Sequence, residues 1–142
     1  MKINRIAASG ALLAIGLSFG ASASAQTGLT ASPNPLNMAA PGGGYTTGFI
    51  TVTNHGPGFA SSLSVDAPTN TGPTHGGLTI IADTCTGATL AQNGTCTVRF
   101  SYEPACFVRA GTQDQWYIGI NSTQFPVLSE HVIGTTNSNA CL

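Results

Sequence analysis

The sequence predicts an all-β protein, a seven-stranded antiparallel sandwich stapled by disulfides. Gly, Thr, Ser and Asn supply 50 of the 117 residues in the range 26–142. β-Branched and turn-forming residues therefore far outnumber charged helix formers. Short runs that alternate apolar and polar residues are separated by glycine- and proline-rich turns. Seven such runs within roughly a hundred residues are typical of a sandwich.

Three of the predicted strands alternate strictly. The run 95–102 places a cysteine, a valine, a phenylalanine and a tyrosine on one face, with threonines, an arginine and a serine on the other. The runs 115–121 and 47–54 repeat this pattern of period two. Such alternation indicates a sheet with one buried and one hydrated face. Trp116 lies in the inward phase, so we expect it in the core.

The other predicted strands have weaker patterns. The runs 60–66 and 78–83 each contain a few alternating apolar residues, and 127–133 has no clear inward face. Residues 29–38 contain two prolines. Because proline has no N–H group to donate, we expect this run to form an irregular first edge strand.

The first 25 residues predict a cleaved signal peptide. Lys2 and Arg5 precede an apolar run at 6–19, and Ala-Ser-Ala at 23–25 is a small-residue cleavage site. This run of fourteen residues is too short to span a bilayer comfortably. We therefore expect residues 26–142 to form a single secreted domain, extracellular or periplasmic, with no membrane insertion after the signal is removed.

Charge excludes two classes of partner. After the predicted signal, the chain keeps Arg99 and Arg109 against five acidic residues, a net charge of −3, and contains no lysine. Two cations cannot neutralise a run of phosphates, so we expect no nucleic-acid partner. A basic membrane-surface helix is excluded for the same reason.

All four cysteines follow the predicted signal. An even number in an oxidising compartment predicts two disulfides, for which three connectivities exist. Their spacing lacks the close pairs typical of a metal site, and no lysine lies beside them to activate a thiolate. We assign no metal or cofactor to the cysteines, which are Cys85, Cys96, Cys106 and Cys141.

Three segments resemble a known family. The segments are Val-Thr-Asn-His-Gly at 52–56, the stretch from Asp83 to Val98 that contains the Cys85 and Cys96 motif, and Phe-Ser-Tyr-Glu-Pro at 100–104. Their order and spacing are similar to those of the Hydin-type immunoglobulin-like domains (ASH/MSP-like) of bacterial secreted and surface proteins. The resemblance covers about 29–134. It implies an immunoglobulin-like sandwich of the major-sperm-protein and pilus-chaperone kind that serves as an extracellular interaction module, with no catalytic residues.

The strand order predicts how the cysteines pair. Cys85 ends one predicted strand and Cys96 begins the next, so the loop between them returns to one edge of the sandwich. Cys106 lies in the following connection, and Cys141 lies in a tail that returns past it. Disulfides require neighbouring segments. We therefore predict Cys85–Cys96, which the resemblance also supports, and Cys106–Cys141, which departs from the family pattern.

Our first functional hypothesis is a secreted, non-enzymatic structural or adhesion module. A low charge gives little self-repulsion and so favours association. Edge strands, notably the one near 29–38, can pair with a second chain by strand addition. The partner would be a protein, a surface or another copy of the chain.

The alternative hypothesis is a metal- or carbohydrate-binding protein that uses the loops at one end of the sandwich. Its metal candidates are His55, His75 and Asp66, and its sugar-stacking candidates are Tyr45 and Tyr117. Nothing in the sequence spacing places these residues together. We therefore expect no metal site and assign no ligand-binding residue.

Overall fold

The computed structural model describes residues 28–139 and 141, and these residues form nine β-strands. The predicted signal peptide lies outside the described residues. In the described part of the chain no helix is long and apolar enough to cross a membrane. The strands are β1 (Leu29–Ser32), β2 (Leu36–Pro41), β3 (Thr46–Asn54), β4 (Ser64–Val65), β5 (Thr69–Asn70), β6 (Gly76–Asp83), β7 (Thr95–Pro104), β8 (Gln113–Asn121) and β9 (Leu128–Ser138).

The strands form two sheets, as expected of an immunoglobulin-like sandwich. Sheet A has the order β1-β3-β7-β6, and sheet B has the order β2-β9-β8-β4, with β5 also pairing with β8. Two details correct the prediction. The strand count is nine rather than seven, and β2 pairs with β9 in parallel rather than antiparallel. Residues 29–38 divide into two edge strands because the chain leaves sheet A at Pro33 and enters sheet B after Pro35.

Alternation correctly predicts the inward faces of β3, β7 and β8. Ile50, Phe100 and Ile118 are fully buried between the sheets. Trp116 is 3% exposed, and its ring meets the ring of Tyr102 edge-on with centroids 5.6 Å apart. This aromatic pair connects sheet B to sheet A. Such pairs stabilise a fold by roughly 0.5–1.5 kcal/mol beyond the burial of their apolar surface.

The predicted strand at 60–66 is largely wrong. Its regular part is only the two residues of β4, while Ala60 makes an isolated bridge to Leu90. Ser62 has a φ of 54°, in the left-handed region, which interrupts an extended chain. Leu63 is nevertheless buried, as its apolar character predicts.

Strand β9 is longer than predicted, and its inward face is now clear. The residues that point into the core are Glu130, Val132, Gly134 and Thr136. Only Val132 among these four is a typical core residue, so the hydropathy of the sequence did not indicate which side of the strand faces the core. Gly134 is required by close approach, because a Cβ there would lie 2.5 Å from the ring of Tyr102.

Two disulfides cross-link the domain. Cys85 pairs with Cys96, with Cα atoms 5.1 Å apart, and Cys106 pairs with Cys141, with Cα atoms 5.0 Å apart. Both pairings are those expected from the sequence. The first bridge is buried in the core, whereas both cysteines of the second are exposed.

Removing the buried bridge tests its contribution to stability. We expect C85A/C96A to lower the free energy of unfolding by roughly 2–5 kcal/mol, because the unfolded chain gains freedom and buried sulfur atoms are lost. Urea unfolding measures the change, with C106A/C141A as the comparison in which only the chain constraint is lost. A loss below about 1 kcal/mol in C85A/C96A would contradict the expectation.

Glu130 is a buried carboxyl group without a hydrogen-bond partner. The residue is completely buried, and neither of its side-chain oxygens is bonded by any described residue. Burial raises its pKa to about 7, because the charged form is poorly solvated in the core. The group is therefore uncharged in folded protein under mildly acidic conditions.

Glu130 should make stability depend on pH. Its pKa is about 7 when folded and near 4.5 when unfolded. Unfolding between these values releases a proton, so the free energy of unfolding should fall as pH rises from 4.5 through 7. The total loss is roughly 3 kcal/mol. Urea unfolding at pH 5 and pH 8 measures it. E130Q should abolish this difference, and E103Q, at an exposed glutamate, should retain it.

Candidate functional site

A cleft of about 520 Å³ opens on the outer face of sheet A, where β6 begins and β7 ends. Thr79, Ser101 and Glu103 contribute to it because they occupy the outward phase of these two paired strands. His75, which directly precedes β6, and Cys106 of the second disulfide complete the wall. The sheet therefore supplies a hydroxyl- and carboxylate-bearing floor, and loops supply the sides.

Asp114 holds His75 at the rim of this cleft. The side chain of Asp114 is fully buried at the start of β8. Its Oδ1 accepts a hydrogen bond of 2.7 Å from the backbone N–H of His75, and the ring Nδ1 of His75 lies 3.3 Å from the same oxygen. Its Oδ2 accepts a hydrogen bond of 3.1 Å from the hydroxyl of Tyr102. One carboxylate thus joins sheet B, sheet A and the loop before β6.

Tyr102 is a neutral donor throughout the ordinary pH range. Burial, with a further contribution from nearby Asp114, raises the pKa of its hydroxyl to about 12. Its ring packs over Gly134, where no larger residue fits. The phenol is therefore fixed in place to donate to Asp114.

The imidazole of His75 is oriented but accessible. Its side chain is 42% exposed, and Nδ1 faces Asp114. A carboxylate at one ring nitrogen fixes the tautomer and leaves Nε2 available to a ligand, as in histidine bases and metal-binding histidines. The cleft can thus offer a held imidazole, the hydroxyls of three lining residues and the exposed carboxylate of Glu103.

The structure does not bring the predicted metal candidates together. His75 lies at the cleft, whereas His55 is exposed in the loop at the opposite end of β3. Asp66 lies on sheet B against Gly119, and its Oδ1 accepts a 3.1 Å hydrogen bond from Asn121. Residues 28–139 and 141 contain no group of three histidine, cysteine or acidic side chains suited to a metal ion.

The two candidate tyrosines are also on separate elements. Tyr45 is exposed in the turn before β3, whereas Tyr117 lies midway along β8 in sheet B. The ring of Tyr117 stacks on His131, with centroids 4.7 Å apart. The structure therefore supports no shared sugar-binding surface for these tyrosines.

Sequence reasoning missed Asp114, Tyr102 and Glu103 as parts of a site. A usable signal was present for Asp114, because it occupies the inward phase of β8, two residues before Trp116. A charged residue at a buried position requires hydrogen-bond partners. The identity of those partners was not readable, since Asp114 and His75 are 39 positions apart.

Comparisons with known proteins support the fold. The PapD-like domain 7 of human CEP192, described as an ASH / PapD-like domain, is similar with a TM-score of 0.52 and 14% identity over 95% of this chain and 99% of that domain. This similarity supports an immunoglobulin-like fold of the ASH type. No family model matches the sequence, and no curated relative does.

Two further solved structures of similar fold are proteases. The secreted serine protease VesC from Vibrio cholerae has a TM-score of 0.54 and 22% identity over 80% of this chain and 23% of its own. Vibrio cholerae VesB protease has a TM-score of 0.51 and 19% identity over 76% and 32%. The chain thus spans about a quarter to a third of the length of these proteases, and at this identity the similarity shows the fold alone.

The expectation of a protein that is not an enzyme is contradicted by these matches, because the similar folds occur in two proteases. A domain of this fold forms part of the chains of the serine protease VesC and the protease VesB. That expectation came from the resemblance to the Hydin-type domains, which implied no catalytic residues. The disulfides and the similarity to the secreted protease VesC are consistent with an extracellular location.

Replacing the central carboxylate tests the site. D114N should lower the free energy of unfolding by roughly 3 kcal/mol, because Tyr102 and His75 lose a charged acceptor in the core. D66N makes the same chemical change at an exposed aspartate and should cost less than about 1 kcal/mol. Urea unfolding compares them. Equal losses would show that Asp114 has no special role.

Proposed function

We propose that this chain is an extracellular recognition domain of the bacterial Hydin type, exported by its signal peptide, that binds an extended segment of a partner protein along β6. The proposal is supported by the free edge of β6, by the cleft at its start and by the immunoglobulin-like fold. A domain of this fold forms about a quarter to a third of the proteases VesC and VesB. The proposed recognition domain is therefore compatible with a secreted protein that contains an enzyme.

The main support for this function is that β6 is an open edge strand of sheet A. It pairs only with β7, and none of the hydrogen bonds between described residues outside that ladder uses the backbone of Gly76–Asp83. The outward N–H and C=O groups of an edge strand are a template for a further strand. Main-chain bonds then provide the affinity and side chains the specificity.

The sequence does little to protect this edge. β6 contains no proline and no charged residue before Asp83, although proteins usually guard long edges with such residues. A bulge between Ile80 and Ala82 bends the strand, so the segment best shaped for pairing is Gly76 to Ile80. That segment borders the cleft.

The remaining edges are shorter. β1 has four residues, and β2 has six and ends at Pro41. From the sequence we expected strand addition near residues 29–38, where these two strands lie. β6, with eight residues, offers the longer row of backbone groups and adjoins the cleft. We therefore place the proposed partner at β6.

Hydrolytic chemistry at the cleft is a second candidate function. His75 is oriented by buried Asp114, as a histidine base is in serine hydrolases, and the hydroxyl of Ser101 lines the same cleft. A fluorophosphonate probe should label Ser101 in the unmodified protein and fail to label H75A. Absence of labelling in the unmodified protein would remove this candidate.

Hydrogen exchange tests the recognition function. Extended peptides selected on the immobilised protein should protect the backbone amides of residues 76–80, because strand addition bonds these groups to the peptide. I81K places a charge on the exposed bulge residue that directly follows this segment, where the added strand would run against it, and should weaken binding at least tenfold. V127K makes the same change at an exposed residue in the loop before β9 and should bind normally.

Protection at β1, β2 or the loops instead of β6 would contradict the proposed site. Equal weakening by I81K and V127K would show that added charge alone, rather than a blocked edge, reduces binding. Circular dichroism should first establish that both variants keep the fold of the unmodified protein.

A further inference from the structure

We infer that the segment pairing with β6 carries a lysine or arginine opposite Gly77, whose side chain crosses β6 and binds the carboxylate of Glu103. This inference rests on the proposed function and adds the chemistry of the partner. It follows from three features: the isolation of Glu103, the open space above Gly77 and the charge of the cleft.

Glu103 is an exposed carboxylate without a cationic partner. It lies in the outward phase of β7, directly opposite Gly77 of β6. The one ion pair between described side chains joins His75 to Asp114. Arg99 shares the outward face but lies four residues back along β7, opposite Phe49 and Ala82. The charge of Glu103 is therefore free for an external cation.

Gly77 leaves the path to Glu103 open. A Cβ at this position would have no heavy atom within 4 Å, so the surface above it is empty. Neighbouring strands lie about 4.8 Å apart, which places a partner residue opposite Gly77 roughly 10 Å from the Cα of Glu103. A long, flexible basic side chain can cross that gap beside a glutamate side chain, whereas a short one cannot.

The cleft itself favours a cation. Glu103 and the hydroxyls of Thr79 and Ser101 supply acceptors, and no lysine or arginine is among the lining residues. The chain after the predicted signal carries a net charge of −3. An acidic side chain at the same position would meet Glu103 without a compensating charge. The partner residue is therefore basic.

A set of three peptides tests this chemistry. The probes are Thr-Val-Thr-Lys-Thr-Val-Thr and the same peptide with glutamine or glutamate at the centre, each labelled for fluorescence anisotropy. We expect the lysine peptide to bind about fivefold more tightly than the glutamine peptide, the scale of a partly exposed ion pair, and the glutamate peptide to bind most weakly. The preference should shrink between 50 and 500 mM salt.

Two variants of the protein identify the groups responsible. E103Q should remove the preference for lysine while peptide binding at β6 persists. G77V fills the open path with a branched side chain suited to a strand and should also reduce the preference. D66N removes one negative charge from sheet B and should leave the preference unchanged, which controls for net charge.

The outcomes separate this inference from the proposed function. A lysine preference that survives in E103Q, or that ignores salt, would overturn the inference. In that case protection of the β6 amides would still support strand addition. If none of the three peptides nor any selected peptide protects β6, the proposed function fails and the inference fails with it.

Discussion

The buried carboxylate of Asp114 is the interaction on which the candidate site depends. It accepts hydrogen bonds from Tyr102 in the opposite sheet and from the backbone of His75 in the loop before β6. A buried charge is tolerated only when such bonds replace water. The same bonds fix the start of β6 relative to both sheets. The rim of the cleft and the beginning of the open edge are therefore set by one side chain.

Scarcity of charge shapes both the inside and the outside of the domain. Among the described residues, Arg99 and Arg109 are the only arginines and there is no lysine, so most acidic residues there lack a cationic partner. Asp114 accepts hydrogen bonds from Tyr102 and His75. Glu130 is buried without a hydrogen-bond partner among the described residues, and its pKa is raised to about 7. Glu103 is exposed and forms no ion pair with a described side chain. The long edge of β6 likewise lacks protective charges. The exposed Glu103 and the unprotected edge of β6 thus follow from the low number of charged residues in the sequence.

The strands that hydropathy predicted well are those whose inward residues are all apolar. β7 and the central part of β3 meet that condition, whereas β9 places Glu130, Gly134 and Thr136 inside. Gly134 is inside because Tyr102 occupies the space a side chain would fill. Such positions are chosen by the opposite sheet, so their phase could not be read within the strand. A left-handed φ at Ser62 interrupts another predicted strand.

Period-two alternation within single segments was enough to predict the all-β class and most of the core, and the places of the cysteines between successive strands predicted the disulfide pairing, because alternation and strand order are visible along the chain. The folded structure was needed to show three other features: the parallel pairing of β2 with β9, the division of residues 29–38 between two sheets and the meeting of His75 with Asp114. These features depend on contacts between residues far apart in sequence. Such contacts are fixed by how two sheets pack, and no spacing within one segment encodes them.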